Sequence, residues 1–172
     1  CLAGELSQYI LDGNLEQAEA SARWFQNLFG DDFYIEIQRH KTDKTDADTE
    51  VFEHQQQVLP HLVDIARKLG IKLIASNDVH FVLESNADAH ERLVCMNTKK
   101  ELGDPSGMYY TKQEWLKSAD EMKQCFPDHP EVILNTLEVA DKVEVFSIES
   151  GPIMPKFDIP ADFGTEEKKK KK

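Results

Sequence analysis

The sequence is poor in cysteine and has no long apolar run, and each shortage removes a class of protein. Its three cysteines, Cys1, Cys95 and Cys125, are an odd number with no CxxC pair among them. That is not a small disulfide scaffold; it fits a reducing compartment in which thiols stay free for packing or metal binding. No stretch approaches the roughly 20 apolar residues of a spanning helix, and the N-terminus lacks the basic-then-apolar layout of a signal peptide. The expected location is the cytoplasm, with no membrane partner. There is no internal repeat and no nucleophile-elbow signature for Ser-His-Asp chemistry. Cys95 and Cys125 lie in apolar helical contexts, where inert packing is the expected role.

What is present is a chain of 172 residues with 40% hydrophobic and 30% charged content, the profile of one globular domain with a sizeable core. The formal charge is −12, and setting aside the five lysines at positions 168–172 leaves −17 on the rest. An acidic body repels nucleic acid, because non-specific binding depends on neutralising phosphates. Any DNA contact is therefore expected to lie elsewhere or to use metal. The lysine run reads as a native basic tail or an artificial addition and is set apart from the fold, and the chain starts at Cys1 rather than Met. Both ends are thus expected to be cut ends of a fragment.

Periodicity gives the organisation. Asn14 is placed to cap a helix to about Leu28 that ends at Gly30, and "FYIEIQRH" (33–40) alternates in the manner of a strand with two different faces. An acidic loop, 41–48, precedes a helical stretch over 49–69 that Pro60 is expected to kink or divide and Gly70 to cap. "IKLIAS" (71–76) is a nearly unbroken apolar run between helices, which reads as a buried parallel strand and makes β-α-β the local unit. Ser85 is expected to open a helix with Ala89, Leu93 and Met96 on one face, followed by the turn cluster "GDPSG" and a short extended "MYYT". A Ser118-capped helix and a helix from about Pro130 follow, and "GPIMPKFDIPADFG", with three prolines, suits an extended linker.

The stretch "KLIASNDVHF" (72–81) carries the chemical question. In an extended backbone residues i and i+2 face the same side, so Asp78 and His80 can reach one ion while Val79 turns away. Asp and Asn also favour the turn that must follow a strand, so turn chemistry stands beside metal ligation. The position just past a parallel strand's C-terminal end is where α/β folds build sites. His40, at the end of the earlier strand, is placed to open on the same mouth with Glu36 and Gln38 below it, or to be part of a polar interior. His54, His61, His90 and His129 read as surface or packing histidines.

The phrases "YIEIQRH", "LGIKLIASNDVHFV", "DAHERLVCMNT" and "MYYTKQEWLKSADEM" occur in an order that resembles the bacterial replicative DNA polymerase III alpha-subunit family. The resemblance runs from "CLAGEL" through "NTLEVADKVEV" to "PIMPKFDIP" and stops at the lysine run. It implies the C-terminal half of a polymerase-and-histidinol-phosphatase (PHP) domain: fold class α/β, a partial distorted β/α barrel. The implied division is 1–150 for the PHP part, 151–164 for a linker toward the polymerase body and 165–172 for a tail. By the same resemblance Asp78 and His80 match the family's last Asp-x-His metal motif and Cys1 a Cys or His ligand position, for divalent zinc or manganese. The family's His-x-His ligands and the magnesium-binding aspartates of nucleotidyl transfer fall outside this chain, so the chain alone is expected neither to complete the PHP site nor to polymerise. For the parent the resemblance implies DNA and deoxynucleoside triphosphates as substrates, with a proofreading exonuclease and a sliding clamp as partners. It leaves three readings: a PHP domain with metal-dependent 3′-5′ exonuclease activity, a non-catalytic module that docks the proofreading exonuclease, or a free-standing PHP phosphoesterase.

Overall fold

A computed structural model describes residues 1–104 and 106–156. Helices α1 (Glu5–Leu11) and α2 (Leu15–Phe29) precede strand β1 (Tyr34–Ile37), and helix α3 (Glu50–Leu69) connects it to strand β2 (Lys72–Ala75). Helices α4 (Ala87–Thr98), α5 (Ala119–Cys125) and α6 (Glu131–Asp141) follow. Among the described residues no helix is long and apolar enough to cross a membrane.

The expected β-α-β unit is there, and local chemistry explains its limits. The Asn14 side chain accepts from the Gln17 amide at 3.2 Å, satisfying one of the free donors of α2. In α3, Val58, Leu59, Leu62, Ile65 and Ala66 recur at helical spacing and are buried, acids occupy the first turn, and Arg67 and Lys68 the last, as the helix dipole favours. Gly70 closes α3 at φ 69°, a left-handed conformation that costs glycine little. β1 and β2 pair in parallel, Ile35 opposite Leu73 and Ile37 opposite Ala75. Those four side chains are buried together beneath α3, and fully burying each large aliphatic one is worth about 1.5–3 kcal/mol. The polar face of β1, with Tyr34, Glu36 and Gln38, points the other way and is only partly covered.

α6 packs against β2, where the Asn135 amide donates to the Leu73 carbonyl at 2.7 Å. The Tyr34 hydroxyl and Lys72 ammonium meet Glu138 of α6 at 2.8 and 2.5 Å. The α5–α6 corner is fixed to β1 by Arg39, whose guanidinium grips Asp128 through two bonds of 2.6 and 2.7 Å and lies 5.4 Å from the Phe126 ring centroid. That grip holds the Asp128 carboxyl down to about 2.

Several expectations change. Pro60 does not divide α3: it lies inside one continuous helix on an exposed face, so the carbonyl it leaves without a partner, on exposed Gln56, meets water. Ser85 is not the cap of α4. It falls in a short 3-10 turn (Glu84–Asn86), and Asn86 instead accepts the Leu83 amide at 3.0 Å. Leu93 and Met96 form no core stripe and are exposed, and "MYYT" joins no sheet. Nearby, an isolated bridge joins Phe81 to Trp115. Among the described residues the sheet has two strands, an α/β arrangement without a closed barrel. Residues 142–156 have almost no regular structure, and the rest of the expected linker and the tail, 157–172, lie outside the described residues.

Candidate functional site

Both strands run the same way, so their C-terminal ends form one mouth, and the chain beyond each end is tied to the other. Gln38 donates to the Ser76 hydroxyl at 3.2 Å, and Ser76 donates to Glu36 at 2.5 Å. Burial pushes the Glu36 carboxyl up, while the bond from the Ser76 hydroxyl favours its charged form. Cys1 lies at the polar face of β1, exposed, with its nitrogen 2.6 Å from Glu36.

His40 belongs to the interior rather than to the open mouth. It is 3% exposed, and its backbone amide donates to Gln55 Oε1 at 2.7 Å. With that oxygen occupied, Gln55 Nε2 faces His40 Nδ1 at 3.2 Å as donor, which leaves Nε2–H of the ring to donate to the Asn77 carbonyl at 3.3 Å. Both ring nitrogens are used by a single neutral tautomer, and burial pushes protonation below the ordinary histidine range. His40 has no electron pair left for an ion.

The loop after β2 is held by polar bonds. Asn77 is buried, and its amide donates to the carbonyls of Gln113 and Trp115 at 2.8 and 2.7 Å while its oxygen accepts from Lys117 at 3.2 Å. Burial lowers the Lys117 ammonium, which also sits 3.4 Å from the Trp115 ring centroid. The His80 amide donates to the Glu114 carbonyl at 2.8 Å, and Leu116 to Phe81 at 3.0 Å, so residues 80–81 and 114–116 run side by side.

Asp78 departs from the extended backbone expected of it. Its φ is 45°, a left-handed conformation that Asp tolerates better than most residues, so simple i, i+2 alternation does not apply here. His80 curls back instead, and its Nδ1 donates to the Asp78 carbonyl at 2.6 Å, an assignment forced because a carbonyl only accepts. This arrangement fits a metal ligand: a backbone carbonyl holding Nδ1–H leaves the Nε2 electron pair free and directed, and both Asp78 and His80 are exposed. Carboxylate, imidazole and thiolate are all zinc donors. Cys1, Asp78 and His80 do not form a trio with ligand atoms all within 4.8 Å of one another. Among the described residues, the one trio of His, Cys or carboxylate side chains with ligand atoms within 4.8 Å of each other is Asp46, Asp88 and Glu91.

That trio already has its cation. The Lys112 ammonium, 6% exposed, meets Asp46 at 2.5 Å, Asp88 at 3.0 Å and Glu91 at 3.1 Å. Burial disfavours its charge, yet these bonds prevail and raise it well above the lysine range. Lys112 also has φ 61°, and the turn around it is closed by buried Glu114, which accepts from the Thr111 amide and hydroxyl at 3.0 and 2.6 Å.

Of the residues that build this region, Lys112 and Glu114 carried no signal of their own in the sequence, and Asn77 read only as a turn residue. Gln55 was the most readable, as a polar residue interrupting the apolar face of α3. His90 stands apart from His54, His61 and His129, because its ring lies 5.5 Å from that of His80 and burial, then His80, lowers its protonation.

These features define an α/β unit with a polar strand mouth that presents an oriented histidine beside an aspartate. No protein-family model matches the chain. Over 169 residues, 97% of its length, it is 37% identical to the DNA polymerase III subunit alpha of Treponema pallidum, and over 167 residues, 96%, it is 35% identical to that of Borreliella burgdorferi. The same subunit of Pseudomonas fluorescens is 35% identical over 158 residues. The chain belongs to the DNA polymerase III alpha-subunit family, as a homologue of one segment. It spans only 14% of the length of the first two relatives.

Proposed function

We propose that the chain is part of a bacterial replicative DNA polymerase, with residues 1–150 as the C-terminal half of its PHP domain and 151–164 as a linker toward the polymerase body. The observation that carries this reading is the continuous likeness to alpha subunits over 97% of the chain. The parent synthesises DNA on a template from deoxynucleoside triphosphates, in the cytoplasm, using magnesium ligands that lie outside these residues. Its proofreading exonuclease and sliding clamp are partners of the whole subunit.

Within the PHP domain Asp78 and His80 are metal ligands, with Cys1 as a further ligand, and the remaining ligands and barrel strands come from sequence outside this chain. A bound zinc or manganese ion acidifies water and supports phosphoester hydrolysis. The carbonyl of Asp78 holds the His80 tautomer that can ligate, and the Asn77 bonds keep the loop in place. The test is zinc and manganese content of the full-length subunit, wild type beside the double variant Asp78→Ala/His80→Ala, together with a 3′-exonuclease assay. Stoichiometric metal and metal-dependent hydrolysis, both lost in the variant, are the expected result.

The second reading, a non-catalytic module that docks the proofreading exonuclease, is favoured by one observation: Cys1, Asp78 and His80 are not a trio with ligand atoms within 4.8 Å of one another. Absence of both metal and hydrolysis in the wild-type subunit would select it. A free-standing phosphoesterase is the weakest alternative, because the likeness continues through residues expected to lead into a larger protein.

A further inference from the structure

The histidine of the Asp78-x-His80 pair does not stand alone. Tyr110 places its ring 4.9 Å from that of His80 at 59°, and His90, on the first turns of α4, places its ring 5.5 Å away at 60°. His90 and Tyr110 touch each other edge to face at 4.8 Å and 78°, and His90 also rests 5.2 Å from Phe81, which is buried. Three segments distant in sequence thus meet around one imidazole.

An exposed histidine ordinarily loses rotamer freedom when it binds an ion, which weakens binding. At His80 the backbone amide is bound to Glu114, Nδ1 is bound to the Asp78 carbonyl, and the ring rests against two others. Ring contacts at these separations are attractive when the rings are tilted or offset rather than squarely face to face. The ring is therefore held in place before any ion arrives.

We propose that His90 and Tyr110 are positioning residues for His80, holding its imidazole so that Nε2 faces the ion without ligating it themselves. This rests on the reading of His80 as a metal ligand. Outer contacts that orient a ligand are commonly worth 10–100-fold in metal affinity.

The experiment is a chelator-competition titration of zinc and of manganese into the metal-stripped full-length alpha subunit, with thermal unfolding as a check on folding. Tyr110→Leu and His90→Ala are each expected to weaken binding about tenfold. Tyr110→Phe and His90→Phe, which keep a ring, are expected to stay close to wild type. In a His80→Ala background, Tyr110→Leu should have no further effect. If His80→Ala weakens binding while Tyr110→Leu and His90→Ala do not, positioning is wrong and the ligand reading stands. If His90→Phe is as weak as His90→Ala, His90 is itself a ligand and positioning is overturned for it. If the wild type binds neither metal, or His80→Ala changes nothing, the ligand reading fails and the proposal with it.

Discussion

Two halves of this molecule are held together by different physics. Among the described residues up to Ala75, the buried side chains are mostly aliphatic: Ile35, Ile37, Leu73 and Ala75 on the sheet, and Val58, Leu59, Leu62, Ile65 and Ala66 on α3. From Asn77 to Ser118 the balance reverses. Phe81 and Ala87 are the buried apolar residues described there, against buried Asn77, Thr111, Lys112 and Glu114. The first half is stabilised by area removed from water, which is non-directional and tolerates small shifts. The second depends on hydrogen bonds and a buried ammonium, which work only when every partner is in place. A loop that must present ligand atoms in a fixed direction is better served by the second kind, and the strand scaffold by the first.

The contrast can be broken most sharply in the scaffold. Ile37→Ala opens a cavity under α3 and should destabilise the chain by about 2–5 kcal/mol, read as a lower urea midpoint. Asn77→Ala strips partners from the Gln113 and Trp115 carbonyls and should cost less globally, about 1–3 kcal/mol. Its signature is local: hydrogen exchange of the His80 amide should quicken while that of β1 and β2 is hardly altered. A result in which both regions loosen equally would erase the distinction between the halves.

The buried histidine gives a third, smaller effect with a definite sign. Unfolded histidine titrates near 6.5, and burial lowers that of native His40. As pH falls through about 6.5 the unfolded chain takes up the proton first, so stability is lost from there downward and is full at higher pH. His40→Gln should flatten part of that decline in unfolding measured from pH 7.5 to 5. His90, lowered likewise, retains a share of it. The smallest change belongs to the surface of α2, where Arg23 pairs with Glu19 at 3.1 Å across one helical turn. Arg23→Ala should shift stability by less than about 0.5 kcal/mol, and a larger loss would show that the exposed face of α2 matters more than its solvation implies.

The scaffold was readable because its signals are local and redundant. Asn14, Gly30 and Gly70 punctuate helices by their own backbone chemistry, and the alternation in 33–40 and the apolar run in 71–76 each specify a strand. The pairing of Asp78 with His80 was readable as a motif, since both are close in sequence. Its geometry was not, because the left-handed turn at Asp78 is set by bonds to residues 113–117. The same holds for Ser85, which has the composition of a cap yet sits in a 3-10 turn, and for Leu93 and Met96, whose helical spacing promised a core that no neighbouring element supplies among the described residues.

By itself, then, the sequence determined the β-α-β order, the ends of α2 and α3, the acidic charge and the kinship with alpha subunits, all properties of neighbouring residues or of residues in a given order. Tertiary structure alone decided that His40 is spent inside on Gln55 and Asn77, that Lys112 occupies the Asp46, Asp88 and Glu91 trio, and that Tyr110 and His90 surround His80. Each of those outcomes joins residues from 10 to 66 positions apart, and such partners are chosen by which segments pack together rather than by any periodicity along the chain.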